Sequence, residues 1–104
     1  MLTGMVNGLP RELTYLRDAI IELGQFEPES LGDDNPEAMD VVEVAIRARI
    51  AGMSAAEGRA TVEKDWKLLG KWLDDPAQDD SPAHFIYGAM EGLLIYADFR
   101  EWVQ

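Results

Sequence analysis

Apolar residues in this chain recur four and three residues apart, the spacing of one face of a helix, and that single period dominates the sequence between its connecting stretches. Leu9, Leu13, Leu16, Ile20 and Leu23 set it first, opposite Arg11, Arg17, Asp18 and Glu22. Pro10 suits a first turn and Gly24 an end, so the spacing predicts a helix over 10–24. The stretch QFEPESLGDDN, 25–35, has no period and carries Pro28 and Gly32, which makes it a connection. Asn35, Pro36 and Glu37 then supply a capping side chain, a first-turn proline and an early acid. They open a second helix, 36–53, with Met39, Val42, Ile46, Ile50 and Met53 as its buried stripe and Glu43 paired to Arg47.

Ser54-Ala55-Ala56-Glu57 is a capping box, so a third helix, 55–73, follows with almost no loop. Its stripe is Val62, Trp66, Leu69 and Leu73, with Leu68 and Trp72 beside it and Glu63, Lys64, Lys67 and Lys71 toward water. DDPAQDD ends that helix, and Ser81-Pro82 opens a last one, 82–103. This last helix is apolar nearly all round. Phe85, Ala89, Gly92, Tyr96, Phe99 and Val103 make one stripe, and Ile86, Met90, Leu93 and Ala97 make another. Its polar side is interrupted by Tyr87, Leu94, Ile95 and Trp102, while Gly88 and Gly92 form a G-x-x-x-G notch open to a close helix approach. The expected fold is a single all-α domain, a compact bundle of about four helices, with the last helix either central or at a homodimer interface.

Composition removes several functions. With no cysteine in 104 residues there is no disulfide framework, thiolate nucleophile or zinc–thiolate cage. No stretch reaches the roughly 18 apolar residues of a membrane span and the first residues lack a basic patch before an apolar run, so the expected setting is cytoplasmic, away from membranes. The formal charge is −11, unevenly spread. Residues 1–21 balance to zero, 22–46 hold eight acids and no base, 47–71 carry +3 and 72–104 carry −6. That field repels phosphate backbones, which argues against direct nucleic-acid binding and for a basic protein partner.

Chemistry is sparse. The one histidine, His84, has no second ligand or nucleophile to work with, and one histidine cannot supply a helical di-iron site. Glu37, Asp40 and Glu43 have the three-residue spacing with which all-helical nucleotide pyrophosphohydrolases hold magnesium, but Glu63 and Asp65 on the next helix sit two apart and point to different sides. DDPAQDD fails the calcium-loop register, since counting from Asp74 puts Asp79 where glycine is required and Phe85 where an acid is required. No cofactor or metal is expected.

The reading these features favour is a protein-interaction module, of inhibitor, immunity or adaptor type. It would meet a basic partner through Glu27, Glu29, Asp33, Asp34, Glu37 and Asp40. A dimer or partner contact would use Tyr87, Gly88, Gly92, Leu94, Ile95 and Trp102. The alternatives are a DNA mimic that blocks a nucleic-acid-binding protein and a magnesium-dependent hydrolase using Glu37, Asp40, Glu43 and Glu63.

Overall fold

The computed structural model describes residues 8–26, 35–74 and 82–102. Among them are helices and no strands: a 3-10 helix Arg11–Leu16 running into α1 (Arg17–Leu23), then α2 (Pro36–Ile50), α3 (Ala55–Leu73), α4 (Ala83–Tyr96) and a short α5 (Phe99–Trp102). The chain is a small all-α bundle.

The first helix is tighter at its start than the four-three spacing implies. Pro10 lies just outside it, with extended ψ of 147°, and its carbonyl accepts the amide of Leu13 at 2.9 Å. A 3-10 turn stacks residues three apart, and Leu13, Leu16 and Ala19 are all buried. The starts of α2 and α3 follow the capping chemistry in the sequence, whereas α4 begins at Ala83, one residue later than expected, with Pro82 at its N-cap. Asn35 Oδ1 accepts the amides of Glu37 and Ala38 at 3.0 and 3.1 Å, and Ser54 and Glu57 close a reciprocal capping box. Ser81 lies outside the described residues. Helix α2 stops at Ile50 rather than 53, because Gly52 turns the chain at φ +84°, a conformation glycine adopts freely. In its buried stripe Ala38 replaces Met39, which is only half-buried. Arg47 lies over the ring of Trp102 instead of pairing with Glu43.

The centre of the bundle is α3, not the last helix: α3 packs on α4, α5, α2 and the 3-10 helix, whereas α4 rests mainly on α3. The reason lies in the register of α3, whose buried positions are Gly58, Val62, Asp65, Leu69, Trp72 and Leu73. Asp65 therefore takes the place in the core stripe that the apolar pattern assigned to Trp66, and Trp66 moves to the flank facing α4.

The last helix does not run unbroken to 103. Ala97 is extended, with φ −78° and ψ 145°, and the chain turns there to bring Phe99 into the core at 5% exposure. Tyr96, placed in a buried stripe by periodicity, ends α4 in solvent at 86% exposure.

Candidate docking face on the fourth helix

Helix α4 is held from one side. Ala83, Ile86 and Met90 are buried, with Tyr87, Leu93, Leu94 and Ala97 packed around them. Tyr87 stacks on Trp66 of α3, ring centroids 5.2 Å apart and planes 19° from parallel. Gly70 makes room for that ring, since a Cβ there would sit 2.9 Å from Tyr87 Cε1. At the far end Arg59 Nη2 donates to the Leu94 carbonyl at 3.1 Å.

The other side of α4 is open. His84, Gly88, Glu91 and Ile95 follow one another at spacings of four, three and four, and all are exposed. A Cβ added to Gly88 or Gly92 would meet nothing within 4 Å, so the glycine pair faces outward and is not a notch filled from within the chain. Three large apolar residues are strongly exposed among the described residues: Val44 and Ile95 at 63% and Tyr96 at 86%. Two of those three adjoin at the end of α4, beside the bare glycines. Tyr87, Leu94 and Trp102 are instead half-buried within the chain.

The bend after α4 is fastened by polar groups as well as by Phe99. Asp98 Oδ1 accepts the Arg100 amide at 3.0 Å, and the Arg100 guanidinium returns two bonds to the same carboxylate, both at 3.1 Å. Those bonds hold the Asp98 carboxyl below, and the Arg100 guanidinium above, their usual ranges. Beyond them the Arg47 guanidinium lies 4.3 Å above the Trp102 ring, which itself tilts against Phe99.

A buried polar tie sits elsewhere in the bundle, where the sequence pattern placed none. Asp65 is fully buried, and its Oδ2 accepts the Tyr15 hydroxyl at 2.7 Å and Arg49 Nε at 3.2 Å. It joins the 3-10 helix, α2 and α3 at one atom. Burial first, and then the bond to Asp65, push the Tyr15 hydroxyl well above the ordinary tyrosine range. The sequence did hold a signal for Asp65: it lies three residues after Val62 and four before Leu69, which is a core position whatever its polarity. The clasp uses one carboxylate oxygen of the two, since Oδ1 is buried without a hydrogen-bond partner among the described residues.

No three His, Asp or Glu side chains gather in a metal-holding group among the described residues. Glu63 is bracketed instead by Arg59 and Lys67 on its own helix, at 3.6 and 3.8 Å. His84 is exposed in the first turn of α4. Glu37 and Asp40 are exposed near the start of α2, and Glu27, Glu29, Asp33 and Asp34 lie outside the described residues. Around the outer side of α3 a shallow depression touches Lys64, Lys67 and Leu68, and reaches Tyr87. It is open to solvent and is flanked by Glu12 of the 3-10 helix and Tyr87 of α4, with Trp66 and Lys71 also in its lining.

No protein-family model matches the chain, and no curated protein or solved structure shows significant similarity to it.

Proposed function

We propose that this protein is a helical interaction module whose docking face is the outer side of α4, and that its partner presents a basic helix. The observation that carries this reading is the adjoining exposure of Ile95 and Tyr96 next to Gly88 and Gly92, which leave the helix backbone uncovered. Burying an Ile or Tyr side chain stabilises a contact by about 1.5–3 kcal/mol, and bare glycines let a second helix come close enough to gain dispersion contacts along its length. The net charge of −11, with Glu91 on the face itself, favours a cationic partner and speeds its encounter.

The exposed Glu37 and Asp40 belong to the same reading as sources of long-range attraction. Charges of this kind raise association rates without needing to lie in the contact.

The test is comparative capture from the source cell with wild type, Ile95→Asp and Gly88→Leu as baits, each first shown to be folded by circular dichroism. A partner retained by wild type, released by rising salt and lost from both variants is the expected result. Equal capture by all three baits would remove α4 from the interaction.

A further inference from the structure

We infer that the last segment of the chain has two conformations, the bent one described above and a straight one in which α4 continues through Trp102 when a basic helix docks on it. This inference rests on the docking reading and gives the docked state a geometry. From Leu93 to Gln104 the sequence contains neither glycine nor proline, so the local stop after Tyr96 is a single side chain, Asp98, whose carboxylate accepts the Arg100 amide. The residue at the break is Ala97, the best helix former of all, held extended. Besides that local cap and its Asp98–Arg100 fork, two tertiary contacts keep the bend: buried Phe99 and Arg47 over Trp102.

What straightening would expose fits the open face. Carried on as a helix, Gly88, Gly92, Ile95, Phe99 and Trp102 fall at spacings of four, three, four and three, a single seam of the kind that packs against another helix. Without a partner that seam would leave Phe99 and Trp102 in water, and the bend turns both onto α3 and α2 instead. Charge follows the same logic. Residues two apart on a helix do not face each other, so straightening parts Asp98 from Arg100 and frees a carboxylate. Glu91 and Asp98, seven residues apart, then flank one side of the seam, which suits a lysine- or arginine-edged helix.

The chain has no cysteine, so spin labels go only where they are put. Ala48→Cys and Glu101→Cys are both exposed sites, one next to Arg47 and one next to Trp102. In the bent form the contact of Arg47 with Trp102 ties the two segments together and fixes the reference distance between the labels. Adding Arg47→Ala and Asp98→Ala removes two fastenings of the bend. The expected result is a longer label–label distance by electron double resonance, together with a gain in helical circular dichroism. An unchanged distance, or a longer one with loss of helicity because the end frays, overturns the straight state. In a second arm the doubly labelled chain without those changes is titrated with a synthetic Leu/Lys heptad helix. Binding with lengthening supports the coupling, and binding without lengthening overturns it. No binding of that basic helix overturns the docking reading itself, whatever the first arm gave.

Discussion

Asp65 bears more of the fold than any other polar residue described, because one of its oxygens serves two donors from two other elements. Replacing it by alanine leaves the Tyr15 hydroxyl and the Arg49 guanidinium without their acceptor. Breaking a buried charge pair from one side costs about 3 kcal/mol or more. Arg49 is 31% exposed and keeps water, which holds the cost near the lower figure. Asp65→Ala should therefore lower the urea midpoint strongly, and Tyr15→Phe by roughly half as much, about 1.5 kcal/mol. Alkali tests the same bond. The fold raises the tyrosine's ionisation above its ordinary value of 10.0, so its stabilisation is complete below that pH and declines as pH rises past it. Denaturation at about pH 9 and about pH 11 should show a loss in wild type that is smaller in Tyr15→Phe. Why the sequence hid Asp65 is plain in physical terms: polarity assigned it to water, while helical register assigned it to the core, and two partners far along the chain decided for register.

At the scale of elements, glycines separate packing from docking. Gly70→Ala adds a methyl against the Tyr87 ring and should destabilise by about 1 kcal/mol, overpacking outweighing the gain in helix propensity. Gly88→Ala adds one into open space and should stabilise by about 0.5–1 kcal/mol while weakening partner capture. Thermal melts give both signs. If Gly88→Ala destabilises, its side of α4 is covered within the chain. The starts of α2 and α3 were readable beforehand because capping is local: Asn35, Ser54 and Glu57 act on amides two or three residues away. The end of α4 was not, because its bend depends on Phe99 meeting α3 and Trp102 meeting Arg47. Of the two apolar stripes on the last helix, the one with Ile86, Met90 and Leu93 faces inward, and the other is divided: Phe85 and Ala89 are half-buried, Tyr96 is in solvent and Phe99 is in the core.

For the whole molecule the dominant quantity is charge. An excess of eleven negative charges on 104 residues repels itself in the folded state, and the ion pairs among the described residues lie mostly at the surface, where they contribute little. Screening should outweigh their loss, so the melting temperature should rise as sodium chloride goes from about 0.01 M to about 0.15 M, where the screening length falls from about 30 Å to about 8 Å. A falling melting temperature would mean that the pairs matter more than the repulsion. The all-helical class was legible from periodicity alone, whereas the choice of α3 as the central helix depended on which flank each aromatic residue took. The stack of Trp66 on Tyr87 has a use beyond packing: two chromophores in van der Waals reach, one on each helix, couple their electronic transitions. Their near-ultraviolet dichroism reports on the α3–α4 seam, and in a chain whose Trp66 and Trp72 are replaced by phenylalanine the emission from Trp102 beneath Arg47 reports on the bend, so light can follow the two ends of α4 in turn.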